Sequence, residues 1–282
     1  MKDGISIGVL SWKAHETLVK TLSSYKDLLP LADEAVVYFN SITLEDRAIA
    51  ERFGFRAEGT AENLGILGGT LALARSLSCG KIVLLQNDNP VNVPADVLSR
   101  RIAEAVRLIE EGKADMVRLR DRFDPSFSDR RKYLLYYPGE DGVDSPSMRL
   151  RRILRPVKAR RLIGRAAAAL KDPSSRHPRE FVRDGESFIT DSRYTNYSDQ
   201  PFMASRRLVL DLLEWADAHK DRSRTLNGRP VPEIIINSRR WRAMRVRVAI
   251  SEGVFAHSRF DDSFRANSAA YNPSIDDTGG AS

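Results

Sequence analysis

The sequence predicts an α/β fold, and three observations carry that prediction. Strand-like apolar runs alternate with helical periodicities from residue 5 to residue 120. The connections between them are short, which implies parallel strands covered by helices. The run Lys81-Ile82-Val83-Leu84-Leu85-Gln86 is the most apolar of all and belongs at the centre of a sheet.

Taken in order, Ile5 to Trp12 is β-branched and apolar, a buried strand. His15 to Leu29 reads as a helix, with Leu18, Leu22 and Tyr25 on one face. Glu34 to Asn40 is a second strand that ends in polar residues. Thr43 to Phe53 is helical, with Leu44, Ala48 and Phe53 facing inward. Gly54 to Glu58 is a short third strand, and Gly68 to Ser78 is a helix entered through a glycine-rich loop. Pro94 to Gly112 is a helix carrying Val97, Ile102, Val106 and Ile109, and Met116 to Arg120 is a further strand. From Phe123 the pattern loosens. Arg207 to Ala218 and Glu233 to Arg242 read as helices, and Val246 to Ile250 as a late strand. The chain thus divides into a regular half (1–122), an irregular half (123–266) with a basic insertion at 149–183, and a polar tail (267–282) expected to be disordered.

Composition excludes several classes. The 282 residues, 42% hydrophobic and 29% charged, describe an ordinary globular protein, not a fibrous or disordered one. A single cysteine, Cys79, rules out a disulfide framework and a Cys-based zinc cluster. No apolar run reaches the roughly 18 residues of a membrane helix. The N-terminus lacks the build of a signal peptide, so a cytoplasmic location is expected. A net charge of +7 points to anionic partners.

Open α/β sheets bind ligands at the carboxyl ends of their strands. That rule singles out Ser11 and Trp12, Asn40 and Ser41, Gly59 and Thr60, and Asn87, Asp88 and Asn89. In Glu62-Asn63-Leu64-Gly65-Ile66-Leu67-Gly68-Gly69, glycines at a helix entrance let a ligand approach the backbone. They also leave N–H groups for anionic oxygens. The segment is neither a P-loop nor a dinucleotide fingerprint. Asn87-Asp88-Asn89 offers one carboxylate between two amides, an oxygen set for Mg2+ or Mn2+ shared with ligand phosphates. An ordinary glycine turn, and an ordinary turn before Pro90, are the competing readings.

Together, ISIGVLSW, EAVVYFN, ENLGILGG and IVLLQNDN resemble the donor half of a GT-A-fold inverting glycosyltransferase. The group is the family 2-like one that includes rhamnosyltransferase-like enzymes. The resemblance is strongest over residues 4–92. It implies a GT-A-like, Rossmann-type sheet with helices on both faces, then a less regular acceptor-side half. Residues 1–122 would bind the nucleotide-sugar donor. Ser11 and Trp12 would lie near the nucleobase. Asn40 stands where the family usually has an Asp that contacts the nucleotide. Asn63, Gly65, Gly68 and Gly69 would shape the donor pocket. Asp88, flanked by Asn87 and Asn89, occupies the position of the family's Asp-x-Asp motif and would hold Mn2+ or Mg2+ against the diphosphate. The chain departs from the pattern twice: at Asn40, and in having one acid in NDN.

The same resemblance makes His257, in Gly253-Val254-Phe255-Ala256-His257, a further metal ligand; a histidine on a turn is the alternative. An inverting transfer needs a carboxylate base. Glu233, after Pro232, and Asp199, in Tyr197-Ser198-Asp199-Gln200-Pro201-Phe202, are the candidates, and either could instead answer a helix dipole. Arg118, Arg120 and Arg122 alternate on one strand face and could grip an anionic acceptor or diphosphate; a solvated face is the alternative. Residues 149–183 carry 12 Lys and Arg against Asp172 and Glu180, interleaved with Leu150, Ile153, Leu154, Val157, Leu162 and Ile163. They suit peripheral contact with the inner membrane face, or binding of an anionic glycan, or form a solvated insertion. His15, His177 and His219 read as structural.

The expected activity is a metal-dependent, hexosyltransferase-type transfer from a nucleotide diphosphate donor to a saccharide or lipid-linked saccharide acceptor, in surface polysaccharide or glycan assembly. The rivals are a degenerate transferase that binds donor without turnover, a nucleotidyltransferase, and a basic nucleic-acid-binding protein. The absence of a glycine-rich loop after the first strand opposes the second. Absent interleaved aromatics oppose nucleic acid as a partner.

Overall fold

The computed structural model describes residues 2–123, 129–199, 201–220, 225–226 and 228–258. In chain order these form β1 (Lys2–Ser11), α1 (His15–Ser23), β2 (Glu34–Phe39), α2 (Leu44–Arg52), β3 (Arg56–Gly59), α3 (Gly65–Ser76), β4 (Cys79–Gln86), α4 (Ala95–Glu110) and β5 (Met116–Arg120). Then come α5 (Asp129–Leu134), α6 (Pro146–Leu154), α7 (Pro156–Leu162), a 3-10 helix (Ile163–Ala168), α8 (Pro173–Arg176), β6 (Val182–Asp184), β7 (Ser187–Asp191), β8 (Phe202–Ser205) and α9 (Arg206–Ala218). The hairpin β9 (Thr225–Leu226) and β10 (Arg229–Pro230), α10 (Pro232–Ile236), α11 (Arg239–Met244) and β11 (Arg247–Phe255) complete the described chain.

Nine strands make one sheet in the order β3-β2-β1-β4-β8-β5-β11-β7-β6. β3, β2, β1 and β4 run parallel, as do β5 and β11. Successive strand residues face opposite sides. Leu10, Val36, Tyr38, Ile82 and Leu84 therefore pack on one face with α3 and α9, through Leu67, Leu71, Leu212 and Leu213. Val9, Val37, Phe39, Val83 and Leu85 pack on the other with α1, α2 and α4, through Leu18, Leu22, Ala50, Leu98 and Ile102. The fold is thus α/β, a mostly parallel central sheet of Rossmann type with helices on both faces.

The strand absent from the sequence reading is β8. It lies antiparallel between β4 and β5, pairing Leu84 with Phe202 on one side and Arg118 with Phe202 on the other. The two halves expected from the sequence therefore share one sheet. The start of β8 meets the carboxyl ends of β4 and β5, and that delivers Asp199 to the same edge.

Other differences have local causes. The first helix ends at Ser23, and Tyr25 turns inward to donate its hydroxyl to the Asn89 carbonyl at 2.7 Å. In α2, Leu44 and Ala48 are exposed, while Asp46 and Ala50 are buried. A capping box, with Thr43 and Asp46 each accepting from the other's backbone, rotates that face inward. The third helix starts earlier, at Gly65. The helix expected over 233–242 is two helices, because Asn237 leaves helical geometry and Ser238 caps α11. The last strand runs on to Phe255 through a register shift and Gly253 at φ +76°. The tail 267–282 lies outside the described residues. Among the described residues, no helix is long and apolar enough to cross a membrane.

Candidate functional site

The chain visits β1, β2 and β3 on one side of β1, then crosses to β4 on the other. That reversal is a topological switch point, and sheets of this kind take ligands at the carboxyl ends of the strands there, here β1 and β4. Ser11 and Trp12 leave β1 there, and Asn87 to Asn89 leave β4. The Asn87 amide donates to the Leu10 carbonyl at 3.0 Å and ties the two ends together. The Ser11 hydroxyl is buried with no hydrogen-bond partner among the described residues. Lys13, after β1, and Ser41, after β2, hold left-handed backbones at φ 50° and 72°. Such strain in non-glycine residues clusters at functional sites.

Asp88 and Asn89 are almost fully buried, at 3% and 1% exposure. The Asn89 side chain accepts from the Gln86 amide at 2.7 Å and donates to Asp88 Oδ1 at 3.3 Å, which fixes the carboxylate. The segment after β11 lies alongside this turn. Ala256 donates to the Pro90 carbonyl, and Ser258 to the Asp88 carbonyl at 2.8 Å. Between them, His257 Nε2 stands 3.3 Å from Asp88 Oδ2. The burial of Tyr25, and then the Asp88 charge, push the Tyr25 phenol well above its ordinary value.

One carboxylate oxygen and one imidazole nitrogen suit Mn2+ or Mg2+ as neighbouring ligands. Two donors each about 2.1 Å from one octahedral ion lie about 3 Å apart, close to the spacing found. Among the described residues, no group of three His, Cys, Asp or Glu side chains forms a metal set. Remaining positions would fall to ligand oxygens. Asp261 and Asp262 lie outside the described residues.

The glycine turn stands beside the ends of β1 and β2, where a Cβ on Gly69 would meet the side chains of Leu10 and Asn40. Gly65 has φ +73°, where a side chain is strained, and its N–H donates to Asn63 Oδ1 at 2.7 Å. A Cβ on Gly69 would come within 2.7 Å of Asn40 Nδ2. Asn40 itself is buried and spends both polar ends on the turn. It accepts from Leu64 N at 3.3 Å and donates to the Gly65 carbonyl at 3.2 Å. A carboxylate could not make that donation, so the amide at this position builds the turn. Gly68 lies against Leu64.

Arg229, in the β9–β10 hairpin, packs over Gly65 and donates to the Asn63 carbonyl. Sequence reading missed this exposed cation at the glycine turn. Its local surroundings carry no signal, because the contact joins distant segments.

The two candidate bases are neighbours. Glu233 Oε1 accepts from Ser198 Oγ at 2.8 Å and from the Asp199 amide at 2.9 Å. The Asp199 carbonyl accepts from Gln86 Nε2 at 3.4 Å, one residue before the NDN turn. Among the described residues, its Oδ1 is buried without a hydrogen-bond partner. Burial first, then the Glu233 charge, push the Asp199 carboxyl up to about 8, against a partial offset from the Tyr197 hydroxyl. Asp199 lines a cavity of about 10 Å3 with Gln86, Thr70 and Tyr197, room for about one water.

Arg118, Arg120 and Arg122 do share one wall. They line a cavity of about 40 Å3 with Arg165, Asp129 and Ser198, beside the carboxylate pair. Their states differ. Arg122 donates to the carbonyls of Ala167, Leu170 and Lys171 at 2.8 to 3.1 Å, a structural role. Arg118 donates to the Asn196 carbonyl, and burial lowers its basicity. Arg165 pairs with Asp129 at 3.3 Å. The remaining histidines have structural partners. His15 bridges to Asp46 at 2.8 Å, His177 meets the Tyr133 hydroxyl at 2.9 Å, and His219 meets the Trp215 carbonyl at 2.8 Å.

No protein-family model and no curated protein matches the sequence. Among solved structures, the chain is similar to glucosyl-3-phosphoglycerate synthase from Mycobacterium tuberculosis in complex with Mn2+, uridine diphosphate and glucosyl-3-phosphoglycerate. Identity is 15%, over 94% of this chain and 75% of that one, with a TM-score of 0.46. It is also similar to S. aureus TarS 1-349, at 11% identity over 92% of this chain and 60% of that one, with a TM-score of 0.48.

Proposed function

We propose that the protein is a metal-dependent, inverting glycosyltransferase that moves a sugar from a nucleoside diphosphate to a saccharide acceptor. The observation that carries this reading is the meeting of Asp88 and His257, from distant segments, at the carboxyl end of β4 by the switch point. Asp88 and His257 would hold Mn2+ or Mg2+. When bound, that ion supplies positive charge to the diphosphate leaving group. Ser11 and Trp12 border the place for the base, and Gly65 with Arg229 the place for the phosphates.

Asp199 takes the proton of the acceptor hydroxyl as its oxygen attacks the anomeric carbon, opposite the departing diphosphate. A carboxyl held near 8 has proton affinity matched to that task. Glu233 acts as a positioning residue: it holds the Asp199 backbone and, through its charge, keeps the Asp199 carboxyl basic. Arg118 and Arg165 beside the pair favour an acceptor bearing phosphate or carboxylate, as a lipid-linked saccharide does. Surface glycan assembly is the setting this chemistry fits.

The test is thermal stabilisation and donor hydrolysis across a panel of nucleotide sugars, with and without Mn2+. One nucleotide should stabilise the protein only when Mn2+ is present. Asp88→Asn and His257→Gln should each lose that metal-dependent shift and the hydrolysis while keeping the native melting profile. Unchanged activity in Asp88→Asn would remove Asp88 from the site. Stabilisation without any hydrolysis would favour the non-turnover reading, which the single acid of NDN supports.

A further inference from the structure

Helix α6 is mounted inside out. None of its residues is buried. Its arginines hold it to the body: Arg151 donates to the Leu135 carbonyl at 2.9 Å, and Arg152 to the Tyr136 carbonyl at 2.6 Å. Arg152 and Arg149 also bind Asp144, at 2.6 and 3.1 Å. The apolar positions, spaced as i, i+3 and i+4, face solvent. Leu150 is 56% exposed, Ile153 73% and Leu154 69%, and Val157 at the start of α7 is 63% exposed. An ordinary surface helix does the reverse. Leu135 and Val143, on the segment that carries α6, are exposed too. A monomeric protein rarely leaves so many large apolar side chains together in water without a partner.

Charge says which partner. Residues 145–171 contain nine Lys and Arg and no Asp or Glu. Arg155, Lys158, Arg160 and Arg161 are exposed and make no ion pair among the described residues. A second copy of the chain on this face would set cations against cations. The apolar stripe is short and breaks at Pro156, so it offers no continuous seam for a partner helix. A fluid bilayer needs no shape match. It takes apolar side chains at the acyl boundary while Lys and Arg reach the headgroups.

We infer that α6 and α7 form a docking surface for an anionic lipid membrane, with Leu150, Ile153, Leu154 and Val157 inserted and the surrounding Arg and Lys on the headgroups. The face goes beyond the proposed sugar transfer and does not depend on it. It does bear on it, since α7 runs directly into Gly164 and Arg165 of the arginine-lined cavity.

Flotation of the full chain with vesicles tests this. Phosphatidylcholine vesicles containing phosphatidylglycerol should carry the protein at low salt, and pure phosphatidylcholine should not. Leu150→Ser/Ile153→Ser/Leu154→Ser should weaken binding by about tenfold or more, with an unchanged melting profile because these side chains are exposed. Arg155→Glu/Lys158→Glu should weaken it and reduce its salt dependence. A wild-type protein that stays with the unfloated fraction on anionic vesicles overturns the inference. So does serine substitution that leaves flotation intact, or that instead abolishes a dimer seen without vesicles.

Discussion

Asp199 ties ionisation to folding and, as the proposed base, to turnover. In the unfolded chain its carboxyl loses its proton near the usual value of about 4. In the folded protein it keeps that proton up to about 8. Between those values the native state binds the extra proton, so stability is full below about 4 and declines as pH rises towards about 8. Asp199→Asn should flatten that decline in chemical denaturation measured across the range. An unaltered slope would mean that the carboxyl is not held protonated. For a base in turnover the direction is opposite, and kcat/KM should climb with pH to a plateau above about 8. The sequence named both Asp199 and Glu233 as candidates but gave no means to choose. Their roles separate only through the Glu233 oxygen that accepts from the Asp199 amide. Asn40 shows the same limit. Its identity was visible as a departure from a family pattern, whereas its bonds to Leu64 and Gly65 required the fold.

Secondary elements were legible wherever periodicity was strong. β1, β2, β4, α4 and α9 stand close to their expected ranges, because apolar runs and amphipathic faces are local signals. β8 was not, since Phe202–Ser205 is four residues long and acquires its identity from pairing with β4 and β5. The end of β11 was hidden for a related reason: the chain bends at Gly253 to follow a bulge. A Cβ on Gly253 would lie 2.2 Å from the Arg120 carbonyl, on backbone that cannot swing aside. Gly253→Ala should therefore cost about 2 kcal/mol or more, from both the clash and the left-handed φ. In thermal unfolding this is a fall of roughly 5 °C. His257 lies a few residues beyond, so the variant should also weaken the proposed Mn2+ dependence. A variant with native melting would show that the strand end repacks freely.

The molecule as a whole is one sheet written by two separated stretches of sequence. A fragment ending at residue 122 retains β1 to β5 but lacks the strand that joins β4 to β5, and lacks β11 outside them. Unpaired edges of that kind invite association. The fragment alone should aggregate or fail to unfold cooperatively, as judged by size-exclusion chromatography and circular dichroism. A monomeric, cooperatively melting fragment would contradict this. The insertion of β8 also sets a timetable for biosynthesis. The open side of β4 leaves the ribosome long before Phe202 does. At ~5–20 residues per second, it waits roughly ten seconds for its neighbour. During that interval the nascent chain presents a bare apolar edge at the middle of its future core, open to mispairing until β8 arrives.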